Sequence, residues 1–139
     1  MHWYYRFDTI CPNGFFARTW QLDLLIFERV IMIYEYRVYE AMPGKLQALS
    51  QRFREYTVQL FDKHGIKNIG YWTSSIGDYS DRLIYIIAFD SMQHRESAWD
   101  AFRKDPEWVA IRGASESDGP LVSRIYNSIL NPTDYSPLQ

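Results

Sequence analysis

The chain lacks most of what would mark a secreted, membrane-spanning or metal-binding protein. Its single cysteine, Cys11, has no partner for an intramolecular disulfide, which excludes a small disulfide-stapled scaffold. Histidines number 3, no two of them at ligand spacing, so no protein-only metal site is expected. No apolar run approaches the roughly 18 residues needed to span a bilayer. Asp8, Arg18, Asp23, Glu28 and Arg29 interrupt every apolar stretch of the opening segment, so a signal-peptide core is missing too. The net charge of −2 supplies no basic field for nucleic acid and no strongly acidic surface. These absences predict a cytoplasmic protein with no cofactor, no metal, no membrane span and no nucleic-acid partner.

What the chain has in plenty is aromatic side chains, 17% of all residues, with 11 Tyr and 5 Trp. Tyr and Trp join a large apolar body to a polar tip, so they suit interfaces and half-wet pockets as well as cores. At 139 residues there is room for one domain and little more.

Two regions differ in pattern. Residues 1–31 carry Trp3, Tyr4, Tyr5, Phe7, Phe15, Phe16 and Trp20 without a sustained period, and 21–31 is compatible with a short helix. They are read as an extension outside the core fold, with Met32 as a candidate start, or else as an N-terminal arm packing its aromatics on the domain or a partner. From Met32 the pattern is regular. Ile33 to Tyr39 alternates as a strand, and Met42-Pro43-Gly44 turns the chain. A helix is expected from about Lys45 to His64, with Leu46, Leu49, Phe53, Tyr56, Leu60 and His64 on one stripe and Gly65 ending it. Ile66 to Ile76 reads as a second strand and Arg82 to Phe89 as a third, apolar on both faces. Ser91 caps a second helix bearing Ala98, Trp99, Ala101 and Phe102. Pro106 opens a further short helix, and Leu121 to Leu130 is the last strand.

Strand, helix, strand, strand, helix, strand is the split βαβ order. It predicts a ferredoxin-like α+β fold: a four-stranded antiparallel sheet with helices on one face and the first and third strands central. Both central strands carry bulky apolar groups on both faces, and two helices cover only one. A second copy laid face to face is the simplest cover for the other, giving a homodimeric α/β barrel with a cavity between the sheets. Residues 1–31 folding over that face of a monomer is the alternative.

The residues also carry a family resemblance. Met32-Ile33-Tyr34-Glu35-Tyr36-Arg37-Val38-Tyr39 followed by Pro43-Gly44-Lys45 resembles the opening of NIPSNAP domains. So do Lys63-His64-Gly65-Ile66, Gly70-Tyr71-Trp72-Thr73, and above all the stretch Trp99-Asp100-Ala101-Phe102-Arg103-Lys104-Asp105-Pro106-Glu107-Trp108. The resemblance spans residues 32–139 and is nearest to bacterial members. It implies the dimeric α/β-barrel superfamily, which also serves cofactor-free monooxygenases, isomerases and haem-handling enzymes, but it transfers no catalytic activity. Tyr85 stands where many members have a His, which argues against a histidine mechanism.

Candidate ligand-binding residues are Tyr34, Glu35, Tyr36, Arg37, Trp72 and Tyr85; no catalytic residue is assigned. Glu35 and Arg37 share one face of a central strand, either lining the cavity, where Arg37 could grip a carboxylate in bidentate fashion, or simply pairing with each other. Trp72, Tyr36 and Tyr85 form either an aromatic wall for a flat ligand or part of the core and interface. His64 has no polar partner legible in the sequence, and His94 is expected to be solvated. Arg103, Asp105, Arg112, Glu116 and Asp118 cluster around Pro106 as a brace for the helix break or a rim over the cavity mouth. Three functions remain open: a homodimer binding a small apolar or aromatic ligand, a cofactor-independent enzyme, or an interaction protein.

Overall fold

In a computed structural model of the chain, residues 32–77 and 79–138 are described. The expectations for residues 1–31, Cys11 included, lie outside them. The elements are β1 (Ile33–Ala41), α1 (Leu46–Arg52), a π-helical turn (Phe53–Thr57), α2 (Val58–Lys63), β2 (Lys67–Thr73), β3 (Arg82–Phe89), α3 (Met92–Lys104), α4 (Pro106–Ser115) and β4 (Val122–Leu130). The sheet has the order β2-β3-β1-β4 and every pairing is antiparallel, so β1 and β3 are the central neighbours the sequence predicts.

The helix boundaries have local chemical causes. The Ser91 hydroxyl accepts the His94 amide to open α3. The Asp105 carboxylate accepts the Glu107 amide to open α4, and Pro106 occupies the first turn, where its missing N–H costs nothing. Gly65, at φ +73°, closes α2, with the Ile66 amide returning to the Phe61 carbonyl at 2.9 Å.

The first helical segment departs from the regular helix expected there. The stretch 46–63 is one continuous rod, but its middle turn is π-helical, and the Thr57 hydroxyl donates to the Arg52 carbonyl at 3.3 Å. In an α-helix a side chain four residues on overshoots the first by about 40°. The wider turn cancels that drift and keeps Phe53, Thr57 and Phe61 on one face. Turns of this kind recur at functional sites.

Alternation then fixes which side chain faces which layer. Ile33, Glu35, Arg37 and Tyr39 stand opposite Phe89, Ile87, Tyr85 and Leu83 on the face that the helices cover. There Tyr85, Ile87 and Phe89 pack with Leu49, Phe53, Phe61, Trp99 and Phe102 as one core. Edge-to-face rings knit it together, Phe61 lying 5.4 Å from Trp99 and 5.0 Å from Phe102. Tyr34, Tyr36 and Val38, with Ala88, Ile86 and Ile84 opposite them, occupy the other face. Among the described residues no helix is long and apolar enough to cross a membrane.

Candidate functional site

Glu35 lies at 0% exposure beneath the helices, a charge in a setting where an unpaired carboxylate would be costly. Four side chains supply what water would have. Its Oε1 accepts Arg37 Nη1 at 2.6 Å, Arg95 Nη2 at 2.9 Å and Asn127 Nδ2 at 3.1 Å. Its Oε2 accepts Arg95 Nε at 2.8 Å and Trp99 Nε1 at 2.9 Å. Burial alone would raise its pKa. The bonds from Arg95 and Trp99, the charge of Arg37 and the bond from Asn127 outweigh burial and hold it near 2, against an ordinary value of 4.5. Each partner is placed by its element: Arg95 and Trp99 one turn apart on α3, Asn127 opposite Arg37 on β4.

Arg37 is thereby fixed at the floor of a cleft between sheet and helices. Its guanidinium sits 4.6 Å from the Trp99 ring centre and donates to the Tyr39 hydroxyl at 3.3 Å. The cleft encloses about 480 Å³, and its aromatic lining includes Tyr39, Phe53, Phe61, Trp99, Phe102 and Trp108. Arg52, at 5% exposure, enters from α1. It pairs with Glu116 at 2.9 Å and lies 5.3 Å from the Trp108 ring, tying α1 to the end of α4. Burial would raise the Glu116 carboxyl pKa, but hydrogen bonds from Arg52 and Arg112 bring it below its usual value.

The six sequence-predicted residues divide between the two faces of the sheet. Glu35, Arg37 and Tyr85 face the helices, whereas Tyr34, Tyr36 and Trp72 lie on the opposite face. A cavity between two sheets therefore cannot be centred on Glu35 and Arg37; the pleat turns both toward the helix layer of their own chain. The aromatic wall of Tyr36, Trp72 and Tyr85 is not formed within one chain either. Tyr85 is fully buried and stacks on Tyr71 at 5.5 Å, while the half-exposed Trp72 indole lies across Gly70. The Tyr85 hydroxyl is buried beside Tyr39 and Arg37, with no hydrogen bond of good geometry among the described residues, and burial together with the Tyr39 hydroxyl raises its pKa.

The histidines also differ from expectation. His64 does have a polar partner, its Nε2–H donating to Asp105 at 2.6 Å. The same carboxylate takes Lys63 at 2.8 Å and caps α4, so the group braces the junction of α3 and α4 and stands outside the lining of the cleft. His94 is part-buried, with Nδ1 accepting the Asp90 amide at 3.3 Å. The charged cluster around Pro106 is both things at once: Asp105 is the brace, while Arg103, Arg112 and Glu116 rim the cleft. Asp118 belongs to neither and pairs with Lys45 at 3.2 Å.

Arg52 was not among the sequence-predicted residues; its signal was its position three after Leu49 and one before Phe53, beside the apolar stripe. Arg95, one turn before Trp99, gave a weaker signal of the same sort. Asn127 gave none.

Comparison with known proteins bears on the family and the fold. The NIPSNAP family model matches residues 34–137. A NIPSNAP family protein of Agrobacterium tumefaciens is 30% identical, superposes with a TM-score of 0.69, and is matched over 78% of this chain and 99% of its own. Mouse NipSnap homolog 3B is 35% identical over 75 residues, 54% of this chain and 30% of that protein, so this chain spans under a third of that relative. A Streptomyces coelicolor monooxygenase solved with nanaomycin D is similar in fold, with a TM-score of 0.55 at 14% identity over 77% of this chain and 92% of its own.

Proposed function

The chain belongs to the NIPSNAP family, and within that fold we propose that it is a homodimer whose subunits each bind a small apolar or aromatic molecule in the sheet–helix cleft, by a carboxylate or carbonyl group reaching Arg37. The observation that carries this reading is the fixed Arg37 on the floor of an aromatic-lined cleft of about 480 Å³. Small-molecule sites are typically apolar clefts of roughly 300–1,000 Å³ with a few convergent polar groups. Glu35 holds the guanidinium in place before any ligand arrives, which removes part of the ordering cost of binding. Among the described residues the lining contains neither His nor Cys, and its carboxylate, Glu116, is ion-paired with a lowered pKa. A general base working near neutrality would need the opposite shift, so the cleft favours binding over proton transfer.

The test uses 2-naphthoate, an aromatic monoacid, titrated into the full chain by calorimetry. Saturable binding is expected, weakened by at least about tenfold in Arg37→Met, which removes the charge-assisted contact while keeping an unbranched side chain in its place. Equal affinity in the variant would sink the assignment of Arg37.

The homodimer is supported by the apolar residues left open on the other sheet face, where Tyr34, Val38 and Ala88 are buried but their neighbours are not. Tyr36, Ile84 and Ile86 are only part-buried there, and Trp72, Tyr126 and Leu130 are exposed. Light scattering on the full chain, and on a chain beginning at Met32, is expected to give twice the mass of one subunit, which is 16.6 kDa for the full chain. A monomer in both would contradict the dimer, and a monomer only without residues 1–31 would make that segment part of the interface.

A further inference from the structure

The charges around the cleft do not balance. Arg37 and Arg95 share the single carboxylate Glu35, and Arg52 and Arg112 share Glu116. Arg103 also lines the cleft and makes no ion pair among the described residues. The cations form two levels. The Arg37 and Arg95 side chains are 11% and 19% exposed at the floor, whereas Arg112 is 63% exposed and Arg103 is exposed at the rim. Between the levels lie the rings of Trp99, Phe102 and Trp108, the last two 4.6 Å apart.

We propose that the ligand is a dianion, with one acidic group on Arg37 at the floor, an aromatic or apolar body against these rings, and a second acidic group between Arg103 and Arg112 at the rim. This rests on the ligand-binding reading above and narrows it to a substrate class. Both rim arginines sit in the last turn of a helix, α3 and α4, where a cation suits the helix dipole. The dipole, however, does not dictate which side of a helix the cation occupies. Two separate helices bring theirs to one cleft, next to a floor already in excess of positive charge. A monoacid would satisfy the floor and leave Arg103 without a counter-ion beside the Arg112–Glu116 pair; a second acid would supply one.

The experiment compares 2-naphthoate with naphthalene-2,6-dicarboxylate, which differs only in the second acid, by calorimetry on the full chain at matched ionic strength. Two rim contacts in solvent contribute modestly, so the dicarboxylate is expected to bind about fivefold more tightly or better. In Arg103→Gln/Arg112→Gln that preference is expected to fall below about twofold, since exposed helix positions tolerate Gln and the fold is kept. Equal binding of the two probes to the parent chain would overturn the second acid and leave the monoacid site standing. A preference that persists in the rim variant would overturn the assignment to Arg103 and Arg112. If neither probe binds, or both bind equally well to Arg37→Met, the site reading itself fails and the dianion falls with it.

Discussion

Replacing Glu35 by Leu is expected to destabilise the fold by about 3–5 kcal/mol, the range seen when one partner of a buried charge pair is removed. Leucine fills the volume, but it strands the Arg37 and Arg95 cations, the Trp99 indole N–H and the Asn127 amide without their shared acceptor. Against a total stability of roughly 5–15 kcal/mol such a loss is large, and the variant could fail to accumulate. Glu35→Gln keeps the shape and one acceptor oxygen, so its cost is expected at about 1–3 kcal/mol, measurable by urea unfolding followed through Trp fluorescence. The pH dependence adds a check of sign. The folded pKa, near 2, lies below the ordinary 4.5, so Glu35 contributes its full stabilisation above pH 4.5 and loses it as pH falls toward 2. The parent chain is therefore expected to weaken across that window, and Glu35→Gln to weaken less steeply. Identical acid slopes in the two proteins would mean that Glu35 is not held ionised by its neighbours.

The second large effect is expected at Phe61. Its ring is 1% exposed and meets Phe53, Trp99 and Phe102 edge-on, and one side of it borders the cleft. Phe61→Ala is expected to cost about 3–5 kcal/mol, the lost transfer energy plus the cavity left behind. Because the void opens into the cleft, 2-naphthoate is expected to recover part of that loss, seen as a greater ligand-induced rise in melting temperature than in the parent chain. A loss under about 1 kcal/mol would show that the aromatic cluster is not closely packed.

How much of the fold and the cleft could be read from the sequence depended on the range of the signal. The strand at Arg82–Phe89 was legible to the residue because dense β-branched and aromatic side chains are bounded by polar turn residues. Ser91 and Pro106 announced their helices through local capping chemistry. The π-helical turn at Phe53–Thr57 was not legible, since it contains no Gly or Pro and the buried Thr57 hydroxyl that bonds across it has no signature in the apolar pattern. Alternation also put Glu35 and Arg37 together, but not on a particular layer. Ile33 and Tyr39 on their side are as apolar as Tyr34 and Val38 on the other, so the pattern carries no asymmetry to say which face the helices take. The partners that make Glu35 a site lie 60, 64 and 92 residues away, at Arg95, Trp99 and Asn127. Periodicity has no reach over such separations, and only the folded sheet and α3 bring them together.

Ligand is expected to bind between sheet and helices rather than on the opposite sheet face. Two tryptophans report those sides separately: the Trp99 indole N–H points at Glu35 under the helices, and Trp72 lies half-exposed on the opposite face. In an NMR titration of the ¹⁵N-labelled full chain with 2-naphthoate, the indole signals of Trp99 and Trp108 are expected to move, with intermolecular NOEs to Trp99, while Trp72 stays in place. NOEs to Trp72, with Trp99 unmoved, would contradict binding in the cleft and put the site on the other face of the sheet.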